Sequence, residues 1–193
     1  MMKTETSKLS DDELITLALK NHPRAITCLV DRYKGMVFTL SHRILKNQLD
    51  AEEAAQDSFI KALKALDTFR FDCKFSTWLY RISYNCAISK SRGYKPVQVE
   101  IDNKFDSPVE ATNAFDALSA NDRTRYLNKA MELLESEESA ILTLFYVDGE
   151  SVNDIATITN LSESNVKIKL HRGRKKLYAH LEVLLKEEVT SLL

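Results

Sequence analysis

The sequence predicts an all-α chain: two small helical domains joined by a flexible acidic linker, the C-terminal one containing a helix-turn-helix. Three observations lead there. Only 4 Gly and 3 Pro occur in 193 residues, too few turn formers for an all-β fold. Apolar residues recur at three- and four-residue intervals over long stretches on both sides of a gap. Within the gap, Tyr94 to Asp122, that periodicity fails, and Pro96, Pro108, Glu100, Asp102, Asp106, Glu110 and Asp116 are scattered without an apolar stripe, the composition of a solvated tether. The domains are therefore expected over 1–93 and 123–193, with the linker at 94–122.

The first domain opens on Ser10-Asp11-Asp12-Glu13, a capping box, followed by Leu14, Ile15, Leu17 and Ala18. Asn21-His22-Pro23 ends that helix, and Pro23 suits the first position of the next. Ala25, Ile26, Leu29, Val30, Tyr33, Val37, Leu40 and Ile44 then keep a 3.6-residue period, with Gly35 a point where the helix could bend. Asp50-Ala51-Glu52-Glu53 reads as a second capping box. The helix it opens buries Ala51, Ala55, Phe59, Ala62, Leu63 and Leu66 and turns Glu53, Gln56, Asp57, Ile60 and Lys64 outward. The acids suit the helix dipole whatever else they do, but an outward isoleucine among polar neighbours marks a surface for docking another protein.

From Thr68 to Asn85 the chain is aromatic and basic together, TFRFDCKFSTWLYRISYN. Ser76 is expected to cap a helix whose start Phe75 and Tyr80 staple, with Leu79, Ile82 and Cys86 inward. Trp78, Arg81 and Asn85 follow another side, beside the loop of Arg70, Phe71 and Lys74. Aromatics interleaved with cations suit unstacked bases and a single-strand backbone. For Trp78 and Phe71, plain core packing is the competing reading.

Helices resume at about Arg123, with Tyr126, Leu127, Ala130, Met131 and Leu134 as one apolar set and Ala140, Ile141, Leu144 and Phe145 as the next, after Ser136. Gly149 ends that helix, and the second core is expected to be small. Ser151, with Asp154 three places on, caps a helix carrying Ile155, Ala156 and Ile158. Asn160-Leu161-Ser162 makes a sharp corner: Asn tolerates left-handed backbone, Leu161 plugs the angle and Ser162 caps the next helix. Two helices so joined form a helix-turn-helix, which sets its second helix in a DNA major groove.

That second helix turns Val166, Leu170, Gly173 and Leu177 inward. Ser164, Asn165, Ile168, His171, Arg172 and Lys175 lie outward, flanked by Lys167 and Arg174 on one edge and Lys169 and Lys176 on the other. The run from Lys167 to Lys176 contains no acid, so i,i+4 ion pairs within the helix cannot explain it. Flanking lysines suit phosphates, Arg172 a guanine edge and Ile168 a thymine methyl. Leu181, Leu184, Leu185, Val189 and Leu192 extend this helix or offer a partner surface.

Composition bounds the rest. A formal charge of −1, from 27 Lys+Arg against 28 Asp+Glu, means that affinity for nucleic acid has to come from segregated charge. Cys28, Cys73 and Cys86 are odd in number, far apart and without C-x-x-C or a nearby His pair, so neither a disulfide framework nor a zinc site is indicated and a reducing cytoplasm is expected. No apolar run is long enough to span a bilayer, and MMKTETSKLSDDEL lacks the apolar centre of an export signal. No catalytic constellation, metal site, cofactor or small-molecule substrate is expected.

Two blocks, in order, resemble a known family. DAEEAAQDSFIKALKALDTFRFDCKFSTWLYRISYNCAIS is similar to the second conserved region of the sigma-70 family of bacterial RNA polymerase subunits, and LLESEESAILTLFYVDGESVNDIATITNLSESNVKIKLHRGRKKL to the fourth. With no sequence for further regions, the chain resembles the two-domain, extracytoplasmic-function (ECF) group. The resemblance implies that Asp50, Glu53, Gln56 and Asp57 dock on the clamp coiled coil of the largest polymerase subunit. It implies that Phe71 to Phe75 capture a flipped base of the −10 element, that Trp78, Arg81 and Asn85 belong to the melting helix, and that Lys167, Lys169, His171 and Arg172 read the −35 element. Phe145 stands where many relatives carry an arginine. The partners implied are core polymerase (clamp coiled coil and flap), promoter DNA and an anti-sigma factor, and no bond is made or broken. Two rivals are a stand-alone helix-turn-helix regulator, which would bind palindromic DNA without polymerase, and a metal-dependent nuclease built on Asp50, Glu52, Glu53 and Asp57.

Overall fold

The computed structural model describes residues 8–92 and 119–191, with side chains through Lys186. Most of the expected linker, residues 94–118, lies outside them. Helix α1 (Asp11–Leu19) opens on Ser10, whose hydroxyl accepts from the Glu13 N–H while Glu13 accepts from the Ser10 N–H at 2.8 Å. Asn21, at φ 57°, turns the chain into α2 (Pro23–Leu45), with Pro23 in its first turn.

Helix α3 (Gln48–Lys64) starts before the expected Asp50 box. Asn47, extended immediately after left-handed Lys46, accepts from the Asp50 N–H at 3.0 Å, so the exposed amides are satisfied earlier. A 3₁₀ turn (Leu66–Thr68) leads to α4 (Phe75–Ser91). Ser76 does not cap α4. Lys74 holds the cap position without a side-chain bond, and burial of Phe75 between Tyr33 and Phe69 fixes where the helix begins. The expected staple is absent for the same reason: Phe75 belongs to the first core with Leu14, Ile15, Leu29, Val37 and Leu79, whereas Tyr80 belongs to the second. Leu63, expected inward, is exposed.

Helix α5 (Ala120–Leu133) begins inside the stretch expected to be linker, because Ser119 caps it by accepting from the Asp122 N–H at 3.2 Å. Leu127 on it is exposed, while Tyr126, Ala130 and Met131 are buried. Helix α6 (Ser136–Tyr146) is followed by a corner through Gly149, whose φ of 69° favours a residue without Cβ. Helices α7 (Val152–Thr159) and α8 (Glu163–Ser191) complete the chain.

The second core is neither small nor confined to the C-terminal domain. Leu40 and Ile44 of α2 and Tyr80, Tyr84 and Ala87 of α4 share one buried cluster with Met131, Leu134, Ile141, Leu144, Ile155, Ile158, Val166 and Leu170. Helix α2 packs on α6, and α4 on α7. Polar bonds cross the same junction: Ser136 Oγ donates to the Ile44 carbonyl at 2.7 Å, Arg43 donates to Asn128 Oδ1 at 2.6 Å, and Lys46 donates to the Leu134 carbonyl. Burying this much apolar surface, at about 25 cal/mol per Å², makes the domain contact part of the fold rather than a surface touch.

Candidate nucleic-acid and protein interfaces

The helix-turn-helix forms as its sequence dictates. Ser151 accepts from the Asp154 N–H at 3.1 Å, Asn160 takes φ 58°, and Ser162 accepts from the Asn165 N–H at 3.3 Å. Val166 and Leu170 are buried and Leu177 is partly so. At Gly173 the close approach is steric, since a Cβ there would come within 3.2 Å of Leu142 Cδ1, so a side chain at that point would require Leu142 of α6 to give way.

Outward, Ser164, Asn165, Lys167, Ile168, His171, Arg172, Arg174 and Lys175 are exposed. Ile168 keeps 48% of its surface in solvent. Lys169 departs from the expected free flank, being half-buried and ion-paired with Glu137 of α6. Lys176 pairs with Glu138 at 2.8 Å and Glu135 at 3.3 Å. The missing acids came from another helix, which spacing along α8 could not reveal. The Glu135-Ser136-Glu137-Glu138 run was their signal in the sequence.

The aromatic and basic surface is only partly as expected. Arg70, Phe71, Lys74, Arg81 and Asn85 are exposed. Phe71 sits at φ 60° and is 47% exposed, a left-handed backbone that costs a bulky residue free energy and is held where the ring faces solvent. Its ring centre lies 4.8 Å from that of Phe69. Phe75 is not available: it is buried, with its ring edge to face against Tyr33 at 5.3 Å, because its place at the start of α4 directs it under the helix. Trp78 is half-buried, its ring 5.4 Å from Phe69 and 5.6 Å from Phe75, so core packing holds one part of the indole and leaves another accessible.

Beside this surface stands the α6–α7 corner. Thr77 Oγ1 donates to Glu150 Oε2 at 3.5 Å, and Glu150 is buried. Burial first, and Asp154 after it, pushes the Glu150 carboxyl above its usual range, against the lowering effect of Lys74. Burial also raises Asp148, opposed by the nearby Tyr80 hydroxyl. The exposed Cys73 thiol is raised by partial burial and then by Asp154 and Asp72. Sequence reasoning did not single out Asp148 or Glu150, which acquire their setting only from the domain contact.

On α3, Glu53, Gln56, Asp57 and Ile60 are exposed, and Ile60 keeps 51% of its surface in solvent. Asp50 is half-buried and bonded to Lys90 Nζ at 3.1 Å; Glu53 reaches the same ammonium at 2.6 Å. These bonds, that from Glu53 foremost, raise the Lys90 pKa. Among the described residues no group of three or more His, Cys, Asp or Glu could hold a metal ion, and no helix is long and apolar enough to cross a membrane.

Comparison with known proteins matches both ends of the chain. Residues 29–95 match sigma-70 region 2, and residues 124–177 match sigma-70 region 4. The ECF RNA polymerase sigma factor SigW of Bacillus subtilis is 31% identical over 86% of this chain and 93% of its own length. The ECF RNA polymerase sigma-E factor of Escherichia coli is 28% identical over 94% of this chain and 99% of its own. Among solved structures, CnrH in complex with the cytosolic domain of CnrY aligns with a TM-score of 0.63 at 24% identity, over 90% of this chain and 97% of CnrH. RpoE of Bartonella quintana with the anti-sigma factor NepR aligns with a TM-score of 0.58 at 21% identity, over 80% and 94%. At those identities the structures speak for the fold, whereas the two family regions and the SigW identity establish descent: this chain belongs to the extracytoplasmic-function sigma factors of the sigma-70 family.

Proposed function

We propose that this chain directs RNA polymerase to promoters by binding the core enzyme, reading duplex DNA with α8 and capturing unpaired bases beside α4. The observation that carries this over a stand-alone regulator is the presence of two DNA-suited surfaces in one chain. Exposed Lys167, Ile168, His171, Arg172, Arg174 and Lys175 suit a duplex, and exposed Arg70, Phe71, Lys74, Arg81 and Asn85 suit a single strand. A regulator that binds duplex DNA alone has no use for the second. The first residues, with Ser164 and Asn165, read the −35 element; the second, with the free part of Trp78, trap −10 bases. Capture offsets an unstacking cost of a few kcal/mol per base, so it favours the open promoter wherever the base fits.

Asp50, Glu53, Gln56, Asp57 and Ile60 supply the polymerase-docking face: an exposed apolar residue beside Gln56 and Asp57, with Asp50 and Glu53 further up the same helix, suits a partner surface of protein. The domains correspond to residues 1–93 and 123–193, with α5 extending the second back to Ala120. A regulatory partner of the kind named for RpoE of Bartonella quintana, an anti-sigma factor, is proposed to hold the chain inactive in the cytoplasm. Transcription from a promoter set with core polymerase, with and without the protein, tests the reading. New start sites that appear only with the protein are expected; DNA binding to palindromes with no polymerase dependence would overturn it.

A further inference from the structure

We propose that Ile168 sets base specificity: its side chain packs on the C5-methyl group of a thymine in the −35 element, close to the base that Arg172 reads. The inference rests on the reading of α8 as the duplex-binding helix. Ile168 occupies the centre of the outward face of α8. At about 100° per residue, Ser164, Asn165, His171, Arg172 and Lys175 all fall within about 60° of it, and Lys167 and Lys169 stand to either side. Ile168 is 48% exposed, and among the described residues it packs against none of the three buried apolar clusters. A β-branched residue is also a weaker helix former than alanine, so neither core packing nor helix propensity accounts for an isoleucine there.

The chemistry around Ile168 selects what covers it. From Lys167 to Lys176 the helix carries no acid, and the acids that α6 brings engage the edge lysines, Lys169 and Lys176. A surface that fits this face is anionic at its rims and apolar at one point of its floor. The DNA major groove has that pattern: phosphates line both edges, and the thymine methyl is the one apolar group that the base edges present. A cytosine in the same place would bury its amino donor against the isoleucine, and a purine its N7 acceptor, each without a partner. Ile168 and Arg172 are four residues apart, about 6 Å along the helix axis, which corresponds to about two base-pair steps. The thymine therefore lies within about two base pairs of the base that Arg172 reads.

The test is a uridine scan. Core polymerase carrying the full chain selects an upstream element from promoter-length duplexes randomised in that window. Each thymine of the selected element is then replaced in turn by deoxyuridine, which removes the methyl and keeps every hydrogen-bonding group. One replacement should weaken holoenzyme binding roughly fourfold, the worth of one buried methyl group, and cytosine at the same position should weaken it roughly tenfold. With Ile168→Ala the uridine effect should vanish, and with Ile168→Val most of it should remain, while circular dichroism melting of both variants matches wild type. The wild-type scan stands by itself should a variant fail to fold. A selected element at which no single thymine is sensitive, or equal losses at every thymine, overturns the inference and leaves the functional reading intact; that is also the result if Ile168 serves a protein partner instead. A fourfold loss that persists in Ile168→Ala overturns it as well. If the holoenzyme selects no upstream element, the functional reading falls and the inference with it.

Discussion

Tyr33 and Phe75 meet edge to face, ring centres 5.3 Å apart and planes 64° apart, and this contact anchors the first turn of α4 to α2. It also divides the aromatic stretch in two, with Phe75 structural and Phe71 exposed. Phe75→Ala should cost about 3–5 kcal/mol of stability by opening a core cavity, seen as a lower denaturation midpoint. Phe71→Ala should leave the midpoint within about 0.5 kcal/mol of wild type and impair promoter opening in a permanganate footprint. Loss of stability on Phe71→Ala would remove the distinction.

Close approach of α8 to α6 predicts a graded response at Gly173. The 3.2 Å separation from Leu142 Cδ1 leaves room for a methyl only if Leu142 shifts. Gly173→Leu should destabilise by about 1–3 kcal/mol through overpacking. Gly173→Ala should do much less, because the helix gains nearly 1 kcal/mol from replacing glycine.

On the face of α8 proposed to read duplex DNA, Arg172→Ala should lose about 1–3 kcal/mol of discrimination at one base position. Lys175→Ala should weaken binding evenly across sequences and reduce the salt slope by about 1. Titrating promoter binding by the holoenzyme against salt, on matched and single-substituted −35 elements, separates the two.

His180 gives a pH dependence of known sign. It is buried in the fold, and burial first, with Lys176 next, lowers its pKa below the ordinary 6.5. A histidine depressed in the folded state contributes stability that is present above 6.5 and lost as pH falls through its folded value. Between about pH 8 and about pH 5.5 the wild-type melting temperature should therefore fall relative to that of His180→Gln. Parallel curves would show that His180 does not titrate in that window.

Asp148 and Glu150 act in the opposite sense. Their folded pKa values are raised above the ordinary 3.8 and 4.5, so their contribution to the stability of the fold is fully present below those values and lost as pH rises through the folded ones. The melting temperature of the wild type should rise on mild acidification relative to that of Asp148→Asn plus Glu150→Gln.

What the sequence alone determined was everything that depends on neighbours along the chain. Ser10, Ser151 and Ser162 cap their helices because a short side-chain oxygen reaches an amide two or three residues on, and Asn160 turns left-handed where its type permits. The buried stripe of Val166, Leu170 and Gly173 follows from helical periodicity. Even local competition misled at one point, since Asn47 pre-empted Asp50 as a cap. Tertiary structure decided what depends on residues distant in sequence. Lys169 is engaged because Glu137 arrives from α6, Phe75 is buried because Tyr33 lies across from it, and the second core is large because α2 and α4 lend it Leu40, Ile44, Tyr80 and Tyr84. Periodicity says which face of a helix is apolar, but an apolar face is silent about which partner covers it, and here each domain covers the other.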